Sequence, residues 1–236
     1  MYFVYINLEE RKEKKQHMHN MLESLNLEFD RFNAIQPTLN EVKKINKLSH
    51  KIKKFFENSI QIPRGIGVVG CYLSHIKALI NYKDINSEYL CILEDDVEFD
   101  SKTLVKVNNI ISNLNNKKKD WDILRAIWDR IPSEYEGLEK INNVVNNRLY
   151  KFTSPNRLSI YSREEDDNNA ISGGCHFYII NKKNIEKLIN YIDCEELYNI
   201  DSVYSTNMLN VYAVLNKDAN IDIPMKYRKQ TNIPKV

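Results

Sequence analysis

The amino-acid sequence predicts an α/β fold, in which helices flank a mostly parallel sheet. Two short apolar runs support this prediction, at residues 2–8 and 89–93, and polar residues follow each of them. Runs of this length and composition are typical of strands that are buried on both faces, as in parallel sheets. An amphipathic helix and a further strand follow the first run, and this strand–helix–strand order favours parallel pairing.

Length and composition limit the class of protein. The chain has 236 residues, enough for one substantial core, and we expect a single domain over residues 1–236. The net charge of +2 gives no reason to expect a nucleic-acid partner. The four cysteines lack zinc-motif spacing and favour a reducing compartment. No apolar run is long enough to cross a bilayer and no leader-like pattern begins the sequence. We therefore expect a cytoplasmic protein, and the alternative is a protein whose targeting segment lies outside this sequence.

The first helix is predicted from four apolar residues at helical spacing, Met18, Met21, Leu22 and Leu25. Asn7 and Arg11 lie in the connection between strand and helix, a natural position for a nucleotide. An asparagine can hydrogen-bond a base or ribose, and an arginine can bind a phosphate with two hydrogen bonds. Alternatively, Arg11 only begins the charged face of the helix. A second short strand is predicted at residues 29–34.

Residues 39–62 are predicted to form a helical segment with a strongly basic outer face. Such a charge run is usually a solvated surface. If it binds a partner, an anionic membrane surface is favoured over nucleic acid, because no aromatic stacking pattern accompanies the lysines. We therefore keep peripheral membrane contact as a hypothesis and leave the oligomeric state open.

Pro63 and the glycines that follow it predict a tight loop in which the backbone approaches another group closely. A helix is predicted from about residue 69 to residue 82. Ser74 and His75 lie on this helix, shortly before the second apolar run. A single histidine in such a position is more often a structural hydrogen-bonding residue than a ligand.

Three consecutive carboxylates, Glu94, Asp95 and Asp96, follow the apolar run at 89–93. Ligands of open α/β sheets bind at the carboxyl ends of strands. Clustered carboxylates repel one another unless a proton or a cation lies among them, and the usual cation is Mg²⁺ or Mn²⁺. Because side chains alternate along a strand, Glu94 and Asp96 are expected to face one way and Asp95 the other. The alternative is a solvated acidic turn.

Two motifs together resemble glycosyltransferase family 25, which includes bacterial lipooligosaccharide galactosyltransferases and eukaryotic procollagen galactosyltransferases. The first is Gly-Cys-Tyr-Leu-Ser-His at residues 70–75, and the second is Leu-Glu-Asp-Asp-Val at residues 93–97. Looser counterparts cover most of the remaining chain: the opening strand with Asn7 and Arg11, the glycine-led strand at 173–180, residues 200–201 and the closing residues 224–233.

The resemblance implies a GT-A-type, Rossmann-like fold, a UDP-sugar donor with galactose favoured, a glycan or glycosylated-protein acceptor, and Mn²⁺ or Mg²⁺ as cofactor. In GT-A enzymes an Asp-x-Asp motif holds the metal, and Glu94 and Asp96 have the same spacing. We therefore predict Asp96 as a direct metal ligand and Glu94 as a ligand through water or a contact to ribose. Asp95 either is structural or faces the sugar. His176 is the candidate third protein ligand, and water and the diphosphate are the alternative.

The members of the family that this chain resembles invert the anomeric carbon, so the acceptor hydroxyl requires a base. Asp201 is the candidate base by resemblance, and a helix N-cap is the alternative. Ser74 and His75 are expected near the donor. The sequence thus favours a metal-dependent glycosyltransferase over an inactive sugar-nucleotide-binding or glycan-binding module. A metal phosphohydrolase is disfavoured because the sequence has no second acidic cluster.

The other elements are predicted from local patterns. A helix over 101–114 has Ser101 as its N-cap, and a strand at 121–127 is similar to a family strand beside the carboxylate strand. Residues 129–170 are predicted as a variable loop region near the acceptor, with short strands at 148–152 and 158–161. A helix at 182–192, a strand at 211–215 and an irregular tail complete the prediction.

Overall fold

The computed structural model describes residues 1–117, 119–126, 138–144, 147–152, 175–194, 196–197, 200–204, 208–214 and 221. The strands are β1 (Tyr2–Asn7), β2 (Phe29–Asn33), β3 (Tyr89–Glu94), β4 (Ile123–Arg125), β5 (Leu138–Val144), β6 (Asn147–Phe152), β7 (Phe177–Asn181) and β8 (Val211–Val214). The helices are α1 (Lys12–Ser24), α2 (Leu39–Lys43), α3 (His50–Phe55), α4 (Ile62–Tyr82), α5 (Ser101–Asn116), α6 (Ile185–Cys194) and α7 (Ile200–Val203). Short 3₁₀ turns at Ser59–Gln61 and Lys182–Asn184 precede α4 and α6.

The described strands form one sheet in the order β2-β1-β3-β7-β4-β8-β6-β5. β1 pairs in parallel with β2 and β3, and β4 pairs in parallel with β8. β7 and β6 are antiparallel to both of their neighbours. Six of the eight described strands therefore point in the same direction, and the predicted α/β fold with a mostly parallel sheet is confirmed.

The central strands are buried on both faces. Val4 and Ile92 belong to one core, which α3, α4 and α6 cover, whereas Phe3 and Cys91 belong to the other, which α1 and α5 cover. Successive strand residues thus alternate between two apolar environments. This double burial explains why β1 and β3 are continuous apolar runs in the sequence.

The strand pairing defines one edge of the sheet. Ile6 in β1 lies opposite Glu94 in β3, and Leu93 lies opposite Phe177 in β7. Because β7 is antiparallel to β3, its first residues lie where β1 and β3 end. Asn7, the three carboxylates and His176 are consequently brought to the same edge.

The prediction of a loop from Pro63 onward is wrong, since α4 is a continuous helix of 21 residues that includes those glycines. Proline is well tolerated in the first turn of a helix, where its missing N–H has no intrahelical partner. The backbone of α4 does approach other atoms closely at these glycines, but those atoms belong to other parts of the same chain. A Cβ on Gly65 would lie 2.7 Å from the Phe56 ring, and a Cβ on Gly70 would lie 2.6 Å from the Ile35 carbonyl oxygen.

Three further predictions need correction. Asp100, rather than Ser101, is the N-cap of α5, and its carboxylate accepts a hydrogen bond of 2.9 Å from the Thr103 N–H. β4 lies beside β7 and β8 rather than beside the carboxylate strand, because β7 is inserted between β3 and β4. Within the predicted loop region, β5 and β6 form a hairpin that extends the sheet. The predicted strand at 158–161 and the glycine pair at 173–174 lie outside the described residues.

The basic segment at 39–62 consists of α2, α3 and the first 3₁₀ turn. Thr38 and Glu41 form a capping box at the start of α2. Val42 and Ile52 are buried in the core that contains α4, and the lysines of the segment are exposed. Among the described helices, none has the length and apolar character needed to cross a membrane.

Candidate functional site

A cluster of two carboxylates and one imidazole lies at the end of β3. His176 Nδ1 is 2.6 Å from Glu94 Oε2 and 3.1 Å from Asp96 Oδ1. The backbone fixes this arrangement, because the Glu94 N–H donates a hydrogen bond of 2.9 Å to the His176 carbonyl oxygen. Glu94 and Asp96 therefore share a partner, as expected from the alternation of side chains along a strand.

The charged groups of the cluster shift one another's pKa values. Burial alone would raise the pKa of Glu94, but the charge of His176 and the hydrogen bonds from His176 and His75 hold that pKa well below its usual range. Burial opposes a charged imidazole, yet Glu94 and Asp96 raise the pKa of His176 well above its ordinary value. The two carboxylates thus require a positive partner between them, and a protonated His176 or a divalent cation can supply it.

Asp95 faces a different set of side chains. It is only 5% exposed, and its carboxylate accepts hydrogen bonds from Asn7 Nδ2 at 2.8 Å and Lys14 Nζ at 3.1 Å. Arg11 Nη1 lies 3.7 Å from the same carboxylate. Burial raises the pKa of Asp95, although Lys14, Asn7 and Arg11 act in the opposite direction. These contacts give Asp95 a structural position between β3 and the start of α1.

Lys14 was missed by the sequence reasoning. It is 3% exposed, and its ammonium also lies 3.5 Å from Asp96 Oδ2. A signal for this burial was present in the sequence. Lys14 precedes Met18 and Leu22 at intervals of four residues, so all three lie on one face of α1 and are buried together.

Arg11 lies in the connection between β1 and α1, as predicted, whereas Asn7 is the last residue of β1. Both ends of the Asn7 amide are engaged within the protein, because Nδ2 donates to Asp95 and Oδ1 accepts a hydrogen bond of 3.0 Å from Arg31 Nε. Arg11 has a side chain that is 37% exposed. Of the two residues, Arg11 is the one that can reach a ligand at this edge.

Ser74 and His75 point in different directions from α4. The Ser74 hydroxyl donates to the Gly70 carbonyl at 2.6 Å and accepts from the Ile35 N–H at 2.8 Å, so it ties α4 to the segment after β2. His75 is buried, and its Nε2 lies 3.4 Å from Glu94 Oε1. The structure therefore brings His75 to the carboxylate cluster and directs Ser74 toward the backbone of Ile35.

Asp201 lies in the first turn of α7, beside a fully buried arginine that the sequence reasoning also missed. Arg125 Nη1 donates to the Asp201 carbonyl oxygen at 3.3 Å, and Nη2 lies 3.8 Å from Asp201 Oδ1. Burial raises the pKa of the Cys175 thiol well above its usual value, and the Asp201 carboxylate adds to this rise. Asp201 therefore lies close to Cys175, the residue that precedes His176.

The donor set of the cluster fits a divalent cation. Glu94, Asp96 and His176 each offer one ligand atom, and these atoms lie within 4.8 Å of one another. Two carboxylate oxygens and one imidazole nitrogen are suitable ligands for Mn²⁺, and carboxylates also suit Mg²⁺. The residues present thus agree with the cofactor class predicted from the sequence.

Comparison with known families identifies this chain. The family model described as "Glycosyltransferase family 25 (LPS biosynthesis protein)" matches residues 1–204, which include the edge of the sheet described above. The chain therefore belongs to glycosyltransferase family 25, and this membership places it among the glycosyltransferases. The resemblance predicted from residues 70–75 and 93–97 is confirmed.

Individual relatives are much longer than this chain. Procollagen galactosyltransferase 1-B from Xenopus laevis is 24% identical over 50% of this chain and 20% of its own length. A glycosyltransferase 25 family member from Drosophila pseudoobscura pseudoobscura is 28% identical over 40% of this chain and 15% of its own length. The chain thus matches a fifth or less of these relatives. The structure of a mannose-1-phosphate geranyltransferase from Thermus thermophilus aligns with 91% of this chain and 73% of its own chain, at 9% sequence identity. Its TM-score of 0.37 is too low to support a conclusion.

Proposed function

We propose that this chain transfers a sugar from a UDP-sugar to a hydroxyl of a glycan or glycosylated-protein acceptor, with a divalent cation as cofactor and inversion at the anomeric carbon. The observation that supports this proposal is the cluster of Glu94, Asp96 and His176 at the carboxyl end of β3, in a chain of glycosyltransferase family 25. Galactose is the proposed sugar because several relatives are named procollagen galactosyltransferases.

In this proposal Glu94, Asp96 and His176 hold the cation. A bound Mn²⁺ or Mg²⁺ supplies positive charge to a diphosphate leaving group, whose negative charge grows as the glycosidic bond breaks. Arg11 provides a guanidinium at the same edge and contacts a phosphate oxygen of the donor. Asn7, Lys14 and Asp95 form the buried support that fixes the start of α1 beside the carboxylates.

The proposed base is Asp201. In an inverting transfer the acceptor oxygen forms a bond to the anomeric carbon while the bond from that carbon to the diphosphate oxygen breaks. The acceptor proton passes to the Asp201 carboxylate. Arg125 acts as a positioning residue, because it contacts both the carbonyl and the carboxylate of Asp201 and is itself fully buried.

Thermal stabilisation by nucleotides tests the donor class. The melting temperature is measured with UDP, UDP-galactose, UDP-glucose and GDP-mannose, each with and without Mn²⁺. A ligand at one hundred times its Kd adds about 2.7 kcal/mol to the free energy of unfolding, which a melting curve detects readily. We expect a manganese-dependent shift with the uridine nucleotides only.

Two variants make the measurement specific. Asp96→Ala is expected to abolish the manganese-dependent shift, because it removes a ligand from the cluster. Asp84→Ala removes an exposed carboxylate away from this edge and is expected to keep the shift. The absence of a shift with any nucleotide in the wild-type protein would contradict the proposed function.

A further inference from the structure

A second group of potential ligands lies on the other side of Glu94. Cys71, His75 and Glu94 each offer one ligand atom, and these three atoms lie within 4.8 Å of one another. Cys71 and His75 are four residues apart in α4, so their side chains lie on the same face of that helix. The end of β3 supplies the carboxylate opposite them.

The hydrogen bonding of His75 orients it for ligation. Its Nδ1 lies 2.8 Å from the Tyr178 hydroxyl, and its Nε2 lies 3.4 Å from Glu94 Oε1. When Nδ1–H donates to the phenol oxygen, the lone pair of Nε2 points toward Glu94. A partner on the second ring nitrogen is the usual arrangement for a histidine that binds a metal.

Glu94 has one oxygen available to each group. Its Oε1 is the atom near His75, and its Oε2 is the atom 2.6 Å from His176. The two clusters therefore share a residue without competing for the same oxygen. Cys71 is an exposed residue, but burial of its thiol group raises the pKa of that thiol well above the usual value, so a bound metal ion must displace the thiol proton.

We propose that Cys71, His75 and Glu94 form a Zn²⁺ site. A thiolate, an imidazole and a carboxylate are the three side-chain ligand types of zinc, and three protein ligands leave one open position in tetrahedral coordination. The thiolate also sets the preference of this site, because Mg²⁺ and Mn²⁺ favour oxygen ligands. The cluster of Glu94, Asp96 and His176 lacks a sulfur ligand, so thiolate coordination of a metal distinguishes the two sites.

Zinc binding has a consequence for the neighbouring cluster. A zinc ion on Glu94 withdraws negative charge from the carboxylate that the second cation also needs. Zinc and manganese are therefore expected to weaken each other's binding, and by the same factor, because coupling between two sites is reciprocal. This consequence rests on the proposed function, whereas the zinc site itself does not.

Zinc affinity measured against a chromophoric chelator tests the site. Cys71→Ser is expected to weaken zinc binding by about 100-fold or more, since loss of even an outer-shell partner typically weakens metal binding by about 10–100-fold. Two controls accompany it: Cys91→Ala removes a thiol buried in β3, and His176→Ala removes a ligand from the other cluster. Cys91→Ala is expected to bind zinc with an affinity close to that of the wild type. His176→Ala is expected to retain zinc binding through Cys71, with an altered affinity because His176 Nδ1 lies 2.6 Å from Glu94 Oε2 in the wild type.

Substitution of cobalt for zinc tests directly whether the Cys71 thiolate is a ligand. Co²⁺ bound in place of zinc is expected to show a thiolate-to-metal charge-transfer band in the wild type and in His176→Ala, and no such band in Cys71→Ser. Equal zinc affinity in the wild type and Cys71→Ser would overturn the proposal. Loss of zinc binding in His176→Ala, with binding retained in Cys71→Ser, would place zinc in the other cluster and would also overturn it.

The zinc result and the transferase result are separable. Zinc binding that depends on Cys71, in a protein that binds no nucleotide, supports the zinc site and contradicts the proposed transfer reaction. Manganese-dependent UDP binding without Cys71-dependent zinc binding overturns the zinc site alone.

Discussion

Removal of the buried ammonium of Lys14 is predicted to destabilise the protein strongly. Lys14 is 3% exposed, and its Nζ lies 3.1 Å from Asp95 Oδ1 and 3.5 Å from Asp96 Oδ2. Lys14→Met keeps the length of the side chain and removes its charge. The variant therefore leaves Asp95 buried without its main cationic partner.

The expected loss in the free energy of unfolding follows from the cost of leaving a buried charge unpaired. Breaking a buried ion pair by removing one partner costs about 3–5 kcal/mol. We expect about 3 kcal/mol for Lys14→Met, because Asn7 and Arg11 still contact Asp95 in the variant. For a chain of this size, each 1 kcal/mol lowers the melting temperature by about 2–4 °C, so the expected decrease is about 6–12 °C.

Equilibrium unfolding in urea measures the effect, and the neighbouring lysine of α1 provides the control. Lys15 makes a solvent-exposed pair with Glu9 at 3.2 Å, so Lys15→Met should change the free energy of unfolding by less than about 1 kcal/mol. The double variant Lys14→Met/Asp95→Asn removes both charges and should recover much of the lost stability. A loss from Lys14→Met as small as that from Lys15→Met would refute the reasoning.

The remaining predictions concern packing and the site. Gly70→Ala should lower the free energy of unfolding by about 1–3 kcal/mol, because its Cβ would meet a backbone oxygen at 2.6 Å. Gly67→Ala should instead raise the free energy of unfolding by about 0.5–1 kcal/mol, because no atom lies within 4 Å of its Cβ. The same urea titration measures both. His176→Ala should raise the Kd for Mn²⁺ by about tenfold or more, measured by the electron paramagnetic resonance of free Mn²⁺; an unchanged Kd would contradict the ligand assignment. Asp201→Asn should lower kcat by about 10²–10⁴-fold with nucleotide affinity unchanged, whereas wild-type turnover would exclude it as the base.

Much of the fold could be predicted from local sequence patterns. The apolar runs of β1 and β3 and the helical spacing of Met18 and Leu22 identify elements whose burial is determined by their own residues. The helix from residue 69 onward was predicted, but the first turns of α4 were predicted as a loop. Two glycines of α4 make room for Phe56 and for the Ile35 carbonyl, which lie outside the helix. A glycine can indicate that no side chain fits at its position, but the sequence does not show which part of the chain occupies that space.

The candidate site could be predicted only in part, because several of its contacts join residues that are far apart in the sequence. The opposite facing of Glu94 and Asp95 follows from the period of a strand, and this was predicted. The pairing of Asp95 with Lys14 joins residues 81 positions apart, and the contact between Arg125 and Asp201 joins residues 76 positions apart. The insertion of β7 between β3 and β4 brings His176 to the carboxylates, and chain order alone does not predict that insertion.

Transfer of labelled sugar tests the proposed function most directly. Wild-type protein, Asp96→Ala and Asp84→Ala are incubated with UDP-galactose and Mn²⁺ on a glycan array and with a procollagen-derived peptide, and both transferred sugar and released UDP are measured. We expect manganese-dependent transfer or UDP release by the wild type and Asp84→Ala, and neither by Asp96→Ala. Manganese-dependent binding of UDP-galactose without transfer or UDP release would contradict the proposed function and would indicate a binding module without turnover.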